Sequence, residues 1–318
     1  DGDIFFTRLN AAGAALVYST YIGWRGFDEG FSVTLDASRN VYISGAVDAG
    51  FPTTPGVPGP THAGGDGDAA VIKISEDQGT LPAPRISSMG IVNAASFSGN
   101  TVVPGELVTI FGQDIGPVEL KQLKLAASGL VDTNLGVTRV MFDNVEAPLV
   151  YVLATQISAV VPYEVANRPA VNVVVVHRGM RSNVANVPVG QAAPGIFTAN
   201  SQGNGQAAML NQDNTVNSPS NPAARGSTVQ IYATGGGQTM PAGVTGAVSA
   251  GLSSQTLPVT VTIGGLPAEV IYSGNAPGLV AGVMQVNARV PEVAPGVVPL
   301  VVSVGGQPSQ QNVTLAVR

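Results

Sequence analysis

The sequence predicts an all-β protein, and three observations carry that prediction. Lys plus Arg number 14 and Asp plus Glu number 20 in 318 residues, so the charged helix formers are scarce. Runs rich in Val, Ile and Thr alternate with polar residues over four to eight positions, the period of a half-buried strand. Between those runs stand 40 Gly and 23 Pro, together with Asn and Asp, which is turn chemistry. A chain of this length has room for two or three domains, each burying its own core.

Composition also narrows function. A net charge of -6 and a pI near 4.8 argue against nucleic acid, which needs clustered Lys and Arg. With no Cys there is no disulfide scaffold and no thiolate metal site. The longest apolar run, around Val173 to Val176, is far too short to cross a bilayer. The chain does not open with a charged segment followed by an apolar one, so an exported form is expected to have lost its signal.

The first region covers residues 1–80. Strands are predicted at residues 4–9, 16–22, 31–35 and 41–44, with turns at 10–13 and 36–40. A Pro/Gly-rich stretch, 51–60, leads through Gly64-Gly65 to a fifth strand at 69–74. The opening Asp1-Gly2-Asp3 recurs as Asp66-Gly67-Asp68. Each is followed by an alternating strand carrying a basic residue, Arg8 and Lys73, which defines an internal repeat of 65 residues.

This region resembles the SBBP-type β-propeller repeat, on the strength of residues 3–10 (DIFFTRLN), 16–23 (LVYSTYIG), 36–45 (DASRNVYISG) and 51–56 (FPTTPG). It departs from that pattern at Trp24-Arg25, where the family has small residues. The resemblance implies a four-stranded, propeller-blade-like antiparallel sheet plus the first strand of a second. A propeller needs about four to eight blades. The sequence thus leaves three expectations: a piece of a longer propeller, a blade covered by its neighbour in the chain, or blades completed between subunits.

Residues 81–85 (LPAPR) read as a short stiff linker. Beyond it a second repeat aligns 140–151 (VMFDNVEAPLVY) with 261–272 (VTIGGLPAEVIY). Gln156 to Pro162 matches Gln285 to Pro291, and Pro104 to Ile110 matches Arg225 to Ile231. Two homologous units follow, 86–192 and 193–318, with strands at the spacing of a β-sandwich. The one helical candidate is 118–125, holding Lys121 and Lys124 in an apolar run.

These units resemble the C-terminal domain family of large secreted proteins from Solibacter-type soil bacteria, which is similar to IPT/TIG immunoglobulin-like domains. Residues 93–97 (NAASF), 110–112 (IFG), 147–151 (APLVY) and 193–197 (APGIF) carry the likeness, with 221–223 (NPA), 233–235 (ATG) and 282–287 (GVMQVN) in the second unit. It implies two immunoglobulin-like β-sandwiches in tandem and an extracellular or cell-surface location, with no activity attached.

Candidate chemistry is sparse. Only His62 and His177 could serve as an imidazole base, both read as turn residues, and no nucleophile-elbow, zincin or P-loop pattern is present. Asp28-Glu29 and the Asp143/Glu146 pair read as solvated turn carboxylates. Asp1, Asp3, Asp66 and Asp68 are candidate calcium ligands, because hard cations take several carboxylate oxygens; no other cofactor is expected. The Thr234 to Gln238 loop, rich in Gly, lacks the Lys and following helix of an anion cradle. Trp24, the sole Trp, reads equally as a sugar-stacking platform or an interface anchor.

The expected function is therefore a non-catalytic extracellular structural protein, a fibre or surface-layer subunit, that self-assembles by completing β-sheets between copies. The residues assigned to that interface are Ile4, Phe5, Phe6, Leu9, Trp24, Ala69, Val71, Ile72 and Ile74. The alternative is a non-polymerising adhesion or ligand-binding module with a surface polysaccharide or protein as partner.

Overall fold

The computed structural model describes residues 2–24, 26–37, 39–54, 57–59, 61–75, 82–99 and 101–318. The chain is all-β, and its strands group into two compact units, Asp1–Leu81 and Pro82–Arg318.

In the first unit every predicted strand forms: β1 (Ile4–Leu9), β2 (Leu16–Ile22), β3 (Glu29–Leu35), β4 (Val41–Val47) and β5 (Asp68–Ile74). They do not make one four-stranded sheet with a fifth strand left over. β1 pairs with β2 alone, and β3, β4 and β5 make a separate antiparallel sheet. The break falls at residues 23–28. There Asp28 accepts backbone N–H bonds from Trp24 and Asp48 at 2.8 and 3.0 Å, which turns the chain away from β2. β5 is not unpaired: it runs along β4 from Val47↔Asp68 to Val41↔Ile74. Side-chain alternation puts Val41 and Ile43 on the same face as Ile74 and Ile72. That face meets Ile4, Phe6 and Ile22 from β1 and β2 in a small core.

The second unit holds two separate apolar cores. The first lies between a sheet built on Thr138–Phe142 and Ala170–His177 and one built on Arg85–Asn93, Leu107–Gln113, Gln156–Val160 and Leu149–Val152. Ile91, Ile110, Phe142, Leu149 and Ile157 fill it with no exposed surface. The second lies between Thr228–Thr234 with Met284–Arg289 and Val270–Asn275, and Val259–Ile263 with Gly296–Val304 and Val313–Val317. Ile196, Ile231, Ile263, Met284 and Leu300 fill that one. Each is two sheets face to face over interdigitated side chains, the packing of a β-sandwich.

The repeat read from the letters is repeated in the backbone. A strand irregularity between Leu149 and Tyr151 recurs, 121 residues on, between Val270 and Tyr272. Gly105 and Gly226 both take φ near +75°, at 76° and 75°. Asp143 stands at φ 52° where Gly264 stands at 59°, since Asp tolerates the left-handed turn that Gly occupies freely. The expected helix at 118–125 is absent. Lys121–Gln122 instead forms a two-residue strand on Leu149–Val152, and the sheet pairing overrides local helix preference. The short helical turn lies at Tyr163–Val165.

Candidate functional site

Among the described residues, two places depart from ordinary packing: an uncovered β surface in the first unit, and a buried polar hub in the second.

The uncovered surface follows from the split of the strands. β1 approaches β3 at its Ile4 end, where a Cβ on Gly30 would lie 3.2 Å from the Ile4 side chain, yet every residue of β3 is exposed. Val33 and Leu35 lie on the core-facing side of their sheet, beside Ile43 and Val41 in register, yet remain 61% and 62% exposed. A cleft of about 620 Å³ separates them from Phe6 to Leu9 of β1. On the far side of β1, Phe5 stands opposite Tyr21, and both are largely exposed. Val71 projects from the outer side of β5, also exposed. Phe27, Phe31 and Leu16 are exposed as well. Apolar patches larger than a few hundred Å² are uncommon on monomers and mark binding surfaces or unmet interfaces.

Of the residues assigned to an interface, Phe5, Leu9, Trp24 and Val71 are exposed and Ala69 faces outward with Val71. Ile4 is buried, while Phe6, Ile72 and Ile74 pack against it or its neighbours in the small core, so these four hold the unit together from inside. Trp24 lays one ring edge close to Gly50, where a Cβ would come within 3.0 Å of Cδ1. The rest of the indole faces solvent.

The loops at one end of this unit are ordered by carboxylates. Asp28, expected as a solvated turn residue, is buried at 3% exposure because its oxygens satisfy the N–H groups of Trp24 and Asp48. Asp48 in turn accepts the Phe27 N–H, and Asp3 lies against Gly23 beside Asp28. Of the candidate calcium ligands, Asp1 lies outside the described residues. Asp68 accepts the Ala63 N–H at 2.6 Å, and among the described residues no three carboxylates or imidazoles converge on a point.

Each imidazole is hydrogen-bonded to its surroundings. His62 Nδ1 accepts the Gly64 N–H. His177, expected at a surface hairpin tip, is 5% exposed and pairs with the Thr138 hydroxyl at 2.8 Å. Burial, then the Arg178 charge, push its pKa down, against a smaller upward pull from Asp114. Asp143 and Glu146 are ion-paired with Arg168 and Arg139, and Asp143 also receives the Asn172 N–H. The Thr234 to Gln238 loop is structural: Gly235 and Gly237 take φ of 79° and 81° and lie against the carbonyls of Ala193 and Gln191.

The buried hub was not legible from spacing. Glu106 has no exposed surface; its carboxylate accepts the Asn93 side-chain amide and the Val103 N–H, both at 2.8 Å. Burial outweighs those two bonds and lifts its pKa to about 8. Asn93 also donates to the Ala193 carbonyl, and the neighbouring Leu107 N–H donates to the Thr234 hydroxyl, which donates to Gly282 O. The hub thus ties the first sandwich to the second through bonds between side chains and backbone. Tyr163 sits nearby, 6% exposed, its ring against Gly105 and Gly243. The one sequence signal was a Glu in an otherwise apolar strand opening, followed by Leu107.

Fold and surface together define an all-β chain whose second unit is closed by its own packing and whose first unit is not. No protein-family model matches it and no curated protein matches it. Among solved structures it is similar to SGBP-B from a complex xyloglucan utilization locus in Bacteroides uniformis, at 13% identity and TM-score 0.23, covering 72% of this chain and 48% of that one. It is also similar to SGBP-B of the Bacteroides ovatus mixed-linkage glucan utilization locus, in complex with a mixed-linkage heptasaccharide. There the identity is 12% and the TM-score 0.29, covering 88% of this chain and 52% of that one. The chain spans about half the length of each. Among the described residues no helix is long and apolar enough to cross a membrane.

Proposed function

We propose that the protein is a non-catalytic binding module of an exported surface protein. In this reading the SBBP-like first unit is the adhesive element and the two TIG-like sandwiches are its rigid base. The observation that carries it is the bare apolar surface on β1, β2 and β3, in a chain whose other sheets bury their apolar faces. The buried ionisable groups support the same reading, because Asp28, Glu106 and His177 are bonded to structure.

The exposed rings of Tyr21 and Trp24 favour a second reading of the same surface, in which a glycan stacks on them. One experiment addresses both. The full chain is applied to immobilised mixed-linkage β-glucan and to a surface coated with the chain itself, and retention is compared for wild type, Tyr21→Ser, Val33→Ser and Leu252→Ser. Retention on either surface that falls at least tenfold for Tyr21→Ser and Val33→Ser supports the module, with Leu252→Ser unchanged as the second-unit control. Retention equal in all four proteins, or release of reducing sugar that His177→Ala abolishes, refutes it.

A further inference from the structure

We propose that the first unit stacks head to tail on a second copy of this chain, the outer face of β5 in one copy seating on the outer face of β1 and β2 in the next. This deepens the binding-module reading and rests on it.

The occupant is identified by the chain's own interface. Inside each copy, the inner face of β1, carrying Ile4 and Phe6, packs on the face of β4 and β5 that carries Ile43 and Ile72. The repeat of 65 residues relates β1 to β5, setting Ile4, Phe6 and Arg8 against Ala69, Val71 and Lys73, and Phe5, Thr7 and Leu9 against Ala70, Ile72 and Ile74. In the structure the phases are opposite. Ile4, Phe6 and Arg8 face inward on β1, whereas Ala69, Val71 and Lys73 face outward on β5. Phe5, Thr7 and Leu9 face outward, whereas Ala70, Ile72 and Ile74 face inward.

Each half of the internal contact therefore has its repeat counterpart on the opposite outer face of the unit, where Phe5 and Val71 are exposed. The two outer faces are thus related to the two inner ones by the repeat, each strand offering outward the positions its counterpart offers inward. Its chemistry also corresponds: Lys73 stands where Arg8 stands, and lies 5.6 Å from the ring centroid of Tyr42 on the adjacent strand. The receiving face has the apolar Phe5–Tyr21 pair beside a Thr7–Ser19 hydroxyl contact of 2.9 Å. Joining unlike faces by a repeated operation produces a ring or a filament, not a closed two-fold dimer.

The test is the mass of the full chain by light scattering over a dilution series, for wild type, Phe5→Glu and Val71→Glu. Both changes are on exposed positions outside the core, and retained strand circular dichroism checks folding. Wild type is expected to grow with concentration from 32.1 kDa, and each variant alone to stay at that mass or stop growing. An equimolar mixture of the two variants retains one intact pair of faces, so it forms a capped dimer and nothing larger. A wild type fixed at 32.1 kDa, or a Val71→Glu protein that assembles as well as wild type, overturns the proposal. A mixture that forms no dimer does so equally. If wild type stays monomeric but is still retained on β-glucan, stacking alone fails; if retention is also lost, the binding-module reading falls with it.

Discussion

At the scale of single residues, buried carboxylates hold backbone in place. Glu106 shows it best. Its carboxylate sits among apolar side chains at the junction of the two sandwiches, and burial holds its pKa near 8 against an ordinary 4.5. Between those values the folded protein keeps a proton that the unfolded chain has released. Stability contributed by this group therefore falls as pH rises from about 4.5 to about 8 and is level outside that window. Glu106→Gln, which keeps the amide-sized group and removes the titration, is expected to flatten the decline in melting temperature of the second unit over that range. An unchanged slope in the variant would assign it to other groups. His177, whose pKa burial lowers, acts in the opposite sense: its contribution is lost as pH falls below the ordinary 6.5. Neither role was legible in the letters, because burial depends on which strands meet, and that is settled far away in sequence. Asp28 was misread for the same reason. Its two flanking glycines signal a turn, but the Asp48 N–H that buries it lies twenty residues on.

At the scale of elements, strands were the most legible feature. The period-2 alternation located all five strands of the first unit, and pairing extended two of them, β3 and β4, by two or three residues. The sandwich repeat was legible through the turn at Asp143 and Gly264, where the need for positive φ leaves a mark on residue choice. Sheet membership was not legible. Nothing in 16–22 and 29–35 says that these consecutive strands avoid pairing, since the cause is the Asp28 and Asp48 network in the loop between and beyond them. The resulting difference in burial has a measurable consequence. Residues 228–234 alternate between buried and half-buried positions in the middle of their sheet, whereas β3 is exposed throughout. Amides of β3 are expected to exchange with solvent at least a hundredfold faster than those of residues 228–234 in dilute protein. Equal protection would mean that β3 is covered in the isolated chain.

At the scale of the whole molecule, the two units pose different problems. The second satisfies itself, with two cores each walled by two sheets. The first has a core cluster of three buried residues, Ile4, Val41 and Ile43, with a fringe of partly buried ones, and leaves Phe5, Val33, Leu35 and Val71 exposed. Burying a Phe or Val contributes about 1.5–3 kcal/mol, so covering Phe5, Val33, Leu35 and Val71 would stabilise the unit substantially. The proposed binding uses this uncovered face. Hydrogen–deuterium exchange of the full chain at low and high concentration, and with mixed-linkage β-glucan at the low one, tests that claim most directly. The account predicts that protection rises in peptides from β1, β2 and β5 on self-association, or around Tyr21 and Trp24 on glycan, while residues 82–318 exchange unchanged. New protection confined to residues 82–318, or none in the first unit under any of these conditions, would contradict it.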